Sequence, residues 1–415
     1  MPSQPYAVVG ISQLVTMAGP ERPRTQGSLQ DTGAIPSGTL LVKEGHIEAA
    51  GPAASIKIPS GYEVLDVGGR LVTPGLIDSH AHPVFAGNRS WEFEMRALGK
   101  SYQDIAKAGG GIRSTVEQTQ RSSEDELLTA SRVHLDWMLR CGTTTSEAKS
   151  GYGQSLEDEL KMLRVMESLS SEGPIDLIAT FLGPHAIPPR FEGDPSLCIQ
   201  EIIEVMLPEV AKQGFARFVD IFVEDRYFTH DCARSFARAA RGFGFGLRMH
   251  VDQLTDNGGA GLAAELNANT ADHLEQTTGA GIAALASAHV QPVLLPASVY
   301  GLGLARYPEA RKMIEAGLAV VLATDFNPGS APTPSLPMAM SLACTQMEMT
   351  PAECLNAVTV NAAHSLGLSD RGSLEHGQRA DFVVWDCQDF REIPYWFGLE
   401  LAQAVFIRGE LVLQK

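Results

Sequence analysis

LIDSHAHPVFAGNRS (76–90) enters on two apolar residues, Leu76 and Ile77, and carries His80 and His82, two apart, just ahead of a proline. In an extended chain residues two apart point to the same side, so both imidazoles face one way while Ala81 faces the other. Such a strand end offers two nitrogen ligands to one point. The fold then turns on which other strands end near it. Seven further apolar or β-branched runs repeat the pattern: TTTSEAKS (143–150), IDLIATFLGPHA (175–186), RFVDIFVE (217–224), GLRMHVDQ (246–253), TADHLEQ (270–276), QPVLLPAS (291–298) and LAVVLATDF (318–326). Amphipathic stretches separate them. In SLEDELKMLRVMESL (155–169), Leu156, Leu160, Leu163 and Met166 recur at helical spacing behind a serine cap. Strand and helix alternate through eight units, which predicts a TIM (β/α)8 barrel of parallel strands.

Active sites of that fold sit at the C-terminal ends of the strands. There the first strand has His80 and His82, the third His185, the fifth His250, the sixth His273 and the eighth Asp325. Five of the eleven histidines share this rim, whereas His46, His134, His230, His289, His364 and His376 fall outside it and are given no role. One histidine or carboxylate at a strand end is ordinarily a hydrogen-bonded structural residue or a cap, and Asp325 ahead of FNPGS also suits a turn. Recurrence at matching ends is what points to a metal. Imidazoles with one carboxylate suit Zn(II) or Fe(II) better than Mg or Ca, which prefer oxygen shells. An ion of that kind polarises a carbonyl and acidifies water, so hydrolysis is the economical use of the site. Asp325 can serve the metal with one oxygen and take the water's proton with the other, then pass it to a leaving nitrogen.

The rest of the chain narrows the class. With 415 residues, 44% of them hydrophobic, there is enough apolar material for a large core, and disorder is not expected. A net charge of −17 without a dense basic run argues against nucleic acid as a partner. No apolar run reaches the roughly 18 residues that span a bilayer, and MPSQPYAVVG lacks a basic signal-peptide start, so a cytoplasmic protein without a membrane partner is expected. The six cysteines show no C-x-x-C pairing, which suits buried reduced thiols and leaves nitrogen and oxygen as the metal's ligands. Short β-like pieces before residue 72, such as TLLVKEGHIEAAG (39–51), and after 371, in GSLEHGQRADFVVWD (372–386) and AVFIRGELVLQK (404–415), predict a small sheet domain built from both chain ends. The expected division is 1–72 with 372–415 for the small domain and 73–371 for the barrel. GPERPRTQGSLQDTGAIPSG (19–38) reads as a loop. GGG (109–111) lacks a P-loop's G-K-[ST], and GFGFG (242–246) closes a helix, so both read as turns or caps.

HAHPVFAGNRSWEFEMRALGKSYQDIAKAGGGI (80–112), EAKSGYG (147–153), GPHAIPP (183–189), ADHLE (271–275) and ATDFNPGSAPT (323–333) together resemble the amidohydrolase superfamily and, within it, the imidazolonepropionase family of histidine degradation. The H-x-H pair marks only the superfamily; the long first stretch and D-F-N-P-G-S are the specific part. The resemblance covers nearly the whole chain. It implies a barrel with a small β-sandwich domain, one Zn or Fe ion per chain, a homodimer, and hydrolysis of a small molecule, 4-imidazolone-5-propanoate, to N-formimidoyl-L-glutamate. Its metal ligands fall on His80, His82, His250 and Asp325, and its substrate contacts on Arg89, Tyr152, His185, Gln253, Asn327, Gly329 and Ser330.

Those residue types suit the implied chemistry. A propanoate needs a cation such as Arg89, with Tyr152 and the N-P-G-S backbone as neutral donors. His273 would stabilise the oxyanion. Arg89 as a surface ion pair, Tyr152 as a packed turn residue and Asn327 as a turn former are the competing structural roles. Glutamine cannot titrate, so Gln253 would orient water or substrate while Asp325, assisted by His273, moves the proton. Glu224, ending strand four, stands where binuclear relatives bridge two metals; Lys149 ends strand two, the wrong strand for that bridge. Another cyclic amide or amidine hydrolase, such as a cytosine or guanine deaminase-like enzyme, is the nearest alternative, and Gln253 with Arg89 argues against it. An inactive scaffold is the more distant one.

Overall fold

The computed structural model of the chain describes residues 4–19, 22–100, 102–191 and 193–415. Both chain ends build one sheet. Its strands are β1 (Tyr6–Val15), β2 (Ala34–Pro36), β3 (Gly38–Lys43), β4 (His46–Pro52), β5 (Glu63–Pro74), β14 (Phe382–Trp385), β15 (Ala402–Ile407) and β16 (Glu410–Gln414). They run in the order β16-β15-β14-β5-β1-β3-β4, with β2 paired to β1. The β3–β4 hairpin turns on Glu44 and Gly45, both at positive φ, the conformation a two-residue turn between twisted strands requires. That turn meets the one joining β15 to β16: a Cβ on Gly45 would come within 2.9 Å of the Arg408 carbonyl, and Tyr6 Oη donates to the Gly409 carbonyl at 2.7 Å. Strands distant in the sheet's order therefore touch, and the sheet folds over a core that includes Leu14, Leu40, Val42, Phe382 and Phe406.

Between these ends lie β6 (Leu76–Asp78), β7 (Thr143–Lys149), β8 (Asp176–Phe181), β9 (Phe218–Val223), β10 (Gly246–Val251), β11 (Thr270–His273), β12 (Gln291–Leu294) and β13 (Val321–Leu322). They pair in chain order, each parallel to the next, as the alternation of strand and helix predicts. The first and last strands meet just past their regular ends: Asp325 N donates to the His80 carbonyl and His82 N to the Phe326 carbonyl, both at 2.9 Å. Barrel closure thus binds the H-x-H segment to Asp325. The helix after β7 runs Leu156–Glu172 with Ser155 as its cap.

Two joints tie sheet and barrel together. Trp385 is fully buried against Gly142, where a Cβ would lie 2.6 Å from the indole, and its Nε1 donates to Thr73 Oγ1 at 2.8 Å. Asp176, at the start of β8, receives Arg371 at 2.6 Å, Arg408 at 2.8 Å, and Arg379. The segment 19–38 is more than a loop. It carries a 3-10 turn at Gln26–Gln30 with Leu29 buried, and the buried Arg24 donates through its backbone to Asn361 at 2.7 Å and through its guanidinium to Asn356 at 3.0 Å. Its Pro and Gly content hid those two anchors, Arg24 and Leu29; Pro20 and Glu21 lie outside the described residues. Gly111 caps the helix Ile112–Arg121, and Gly242 ends the helix His230–Gly242, so both glycine runs are caps as expected.

Candidate active site

His80 and His82 leave β6 on the same side, with Nε2 of each 3.5 Å from Oδ1 of Asp325. His250 comes from β10, its ring centre 4.5 Å from that of His80. Ligand atoms of His80, His82 and His250 lie within 4.8 Å of one another, and so do those of His80, His273 and Asp325. His80 belongs to both groups. Its Nδ1 lies 2.7 Å from Asp272 Oδ2, whereas its Nε2 is buried with no hydrogen-bond partner. Burial, then the nearby Lys149 ammonium, drives the His80 pKa well below that of a free imidazole, so the ring is neutral and Nε2 keeps a lone pair. Burial likewise lowers His250, whose Nδ1 lies 3.0 Å from Asp220 Oδ2. Asp325 is held ionised near a pKa of about 2: burial pushes it up, but the His82 hydrogen bond and the neighbouring imidazoles outweigh that.

These donors fit a divalent cation. An unpartnered buried imidazole nitrogen, an ionised carboxylate and no thiol make a nitrogen and oxygen shell. The charges agree. Glu147, Asp220 and Asp272 face Lys149 and Arg248, whereas the ionised Asp325 meets neither cation among the described residues.

One cavity of about 1010 Å³ opens above this cluster. His82, Arg89, Tyr152, His185, His250, Gln253, His273, Asp325, Asn327, Gly329 and Ser330 all line it, and His80 lies sealed beneath. The Arg89 Nε and Nη2 donate to Glu92 at 2.8 and 2.7 Å, and the buried Glu92 also accepts Gly111 N at 2.9 Å. That leaves Nη1 and the outer hydrogen of Nη2 for a ligand. Glu92 was not legible as a site residue, although its i,i+3 spacing from Arg89 was a usable signal.

His185 stands on the turn Gly183–His185 with its ring stacked 5.3 Å from that of His82. Burial lowers its pKa well below the free value, and burial raises that of Tyr152, so both are neutral at pH 7. Asn327 is spent on its own turn: Nδ2 donates to the Asp325 carbonyl and Ser330 Oγ, while Oδ1 accepts Gly329 N and Ser330 N, both at 2.8 Å. Ser330 Oγ in turn donates to Asp325 Oδ2 at 3.0 Å, so the two oxygens of Asp325 face different neighbours. His273 sits at φ +80, a conformation that costs roughly 1–3 kcal/mol for a non-glycine residue. Its Nδ1 lies 3.2 Å from Glu275 Oε1; burial opposes protonation of the ring, but Glu275 outweighs it and raises the His273 pKa.

Glu224 is engaged in hydrogen bonds within the chain. Its carboxylate accepts Asp225 N and Leu254 N at 2.8 Å, Thr255 N at 3.1 Å and the Thr255 hydroxyl, and it joins neither ligand group among the described residues. It clamps the loop that carries Gln253. Asp252 holds the same loop from the other side by accepting Gly259 N at 2.7 Å and Thr277 Oγ1 at 2.7 Å.

A barrel with imidazoles and an aspartate at the strand ends defines a class, and a family model described as the amidohydrolase family matches residues 71–412. The fold also agrees with a 5-methylcytosine deaminase from Klebsiella pneumoniae, at a TM-score of 0.73 and 16% identity over 99% of this chain and 97% of that one. Sequence is more specific. An imidazolonepropionase of Solibacter usitatus is 53% identical over 99% of both chains, and one of Geobacillus kaustophilus is 42% identical over 99% of this chain and 98% of its own. The chain belongs to the imidazolonepropionase family of the amidohydrolases.

Proposed function

We infer that the chain hydrolyses 4-imidazolone-5-propanoate to N-formimidoyl-L-glutamate in histidine degradation. The observation that carries the reading is a shared cavity: Arg89, a cation for the propanoate, lines the same space as His82, His250 and Asp325. We propose one Zn(II) or Fe(II) ion per chain, held by His80, His82, His250 and Asp325. Such an ion supplies an electrophile for the ring carbonyl and acidifies water.

The chain's own groups do the rest. Arg89 pairs with the propanoate through the Nη1 side that Glu92 leaves free. Tyr152 and His185, both neutral, flank the ring as a donor and a wall. Asp325 takes the proton of the attacking water and returns it to the ring nitrogen as the carbon–nitrogen bond breaks. His273, oriented by Glu275, stabilises the oxyanion that forms between those two steps. Gln253 orients water or substrate by hydrogen bonding. The Asn327–Ser330 turn shapes the wall beside Arg89, and Gly329 leaves the clearance its guanidinium occupies.

The surrounding organisation belongs to the same reading: residues 1–72 with 372–415 as a small domain, 73–371 as the catalytic barrel. A homodimer is favoured by exposed Tyr395, Trp396, Phe397 and Leu399, adjacent apolar side chains on one segment. Six free cysteines favour a reducing, cytoplasmic location. The test is a substrate comparison with metal-replete protein: imidazolonepropanoate, the same ring without its side chain, and cytosine. Turnover of the first alone, or by far the fastest, supports the reading; faster turnover of cytosine replaces it with a deaminase.

A further inference from the structure

Beneath the histidines, closed off from the cavity, Lys149 reaches across the barrel interior from β7. Its Nζ lies 2.6 Å from Asp220 Oδ2, 3.0 Å from Glu147 Oε2 and 3.5 Å from Asp272 Oδ2, and all four side chains are fully buried. Two of these contacts use the oxygen atoms that lie beside the rings above. Asp220 Oδ2 is the atom 3.0 Å from His250 Nδ1, and Asp272 Oδ2 is the atom 2.7 Å from His80 Nδ1. One ammonium therefore touches both carboxylate oxygens that face the two histidines.

We propose that Lys149 is a positioning residue of the metal centre: by fixing Asp220 and Asp272 together, it turns Nε2 of His250 and Nε2 of His80 toward one point. The inference rests on the metal-centre reading above. Physically, a carboxylate beside a histidine sets ring rotation and tautomer only if the carboxylate is itself held, and partners of this kind are commonly worth 10–100-fold in metal affinity. Asp220 and Asp272 sit on β9 and β11, either side of the strand that carries His250. Neither β9 nor β11 fixes the other's side chain. A single donor between them does. Arg248 supports the assembly from below, with Nη2 donating to the Ser79 carbonyl at 2.7 Å and Nε 2.9 Å from Glu147, but it lies 3.6 Å from Asp272 and has no contact with Asp220 among the described residues.

Zinc alone, titrated against a chromophoric chelator, is the probe. Lys149→Met together with Glu147→Gln removes one charge of each sign and so keeps the buried balance; Glu147→Gln alone is the control that retains the ammonium. The folded double variant is expected to bind zinc about 10–100-fold more weakly than wild type, and the control within about threefold. Zinc affinity of the folded double variant within threefold of wild type overturns the proposal. Should the double variant not fold, histidine nitrogen NMR on the metal-free wild type decides: His80 and His250 must both carry the proton on Nδ1, and a proton on Nε2 of either contradicts the arrangement. Neither readout needs turnover, so a wild type that fails to act on imidazolonepropanoate would sink the substrate reading and leave this one standing or falling separately.

Discussion

A Cβ added to Gly329 would lie 2.1 Å from Nη1 of Arg89, closer than any side chain atom can approach without displacing the guanidinium. Arg89 is held on its other edge by Glu92, so it has nowhere to retreat that keeps both contacts. Gly329→Ala is expected to raise KM for imidazolonepropanoate by roughly 10–100-fold with a smaller change in kcat, because it disturbs carboxylate binding and leaves the metal cluster alone. Steady-state kinetics with metal content measured in parallel checks this; an unchanged KM removes Arg89 from the substrate contact.

Glu92→Gln keeps the volume and loses the charge. The two-pronged pairing with Arg89 becomes a single hydrogen bond from the guanidinium to a neutral acceptor, and KM is expected to rise about tenfold at unchanged metal content. Equal losses in kcat and in bound metal would mean that Glu92 acts on the fold instead.

Glu224 offers a test of nuclearity. Its carboxylate is consumed by the loop bearing Gln253, so Glu224→Gln is expected to retain the wild type's metal stoichiometry while lowering kcat/KM by roughly 3–10-fold as that loop loosens. Loss of a second metal equivalent, seen by elemental analysis, would restore the bridging role.

Far from the chemistry, Asp176 faces Arg371, Arg379 and Arg408. Burial alone would raise its pKa, but the arginines, Arg379 foremost, hold it below the ordinary aspartate value. A depressed folded-state pKa means stability that is present above the unfolded value of about 4 and is lost as pH falls below it through the folded pKa. Asp176→Asn is expected to destabilise by about 1–3 kcal/mol at pH 7, since Arg371 and Arg379 lose the carboxylate they share, although Asp370 and Asp381 still pair with them. The penalty should shrink as pH falls below about 4, where the wild type loses the same charge. Denaturant midpoints measured across that range check the sign; a penalty that grows on acidification contradicts it.

All eight barrel strands and the rim they form were legible in the sequence, because alternating apolar strands and helices repeat in the order the sheet pairs. Their ends were less so. QPVLLPAS stops as a strand at Leu294 because Pro296 opens the helix Pro296–Leu302, and IDLIATFLGPHA stops at Phe181 before the turn that carries His185. What the sequence concealed was the buried charge. Asp220 in FVDIFV, Arg248 in GLRMHV and Asp272 in TADH each break an apolar strand with one charge, and only a closed barrel brings them around Lys149. Asn327 was read as a substrate contact with a turn former as its competing role, and in the structure its side chain bonds go to that turn.

The most direct test follows the ultraviolet absorbance of freshly generated imidazolonepropanoate in the presence of the wild type and of Arg89→Ala, with metal quantified in both preparations. The account predicts rapid loss of absorbance and formation of N-formimidoyl-L-glutamate by a wild type carrying about one metal per chain, and at least a roughly hundredfold lower kcat/KM for a variant that retains its metal. A metal-replete wild type that leaves the substrate untouched would contradict it.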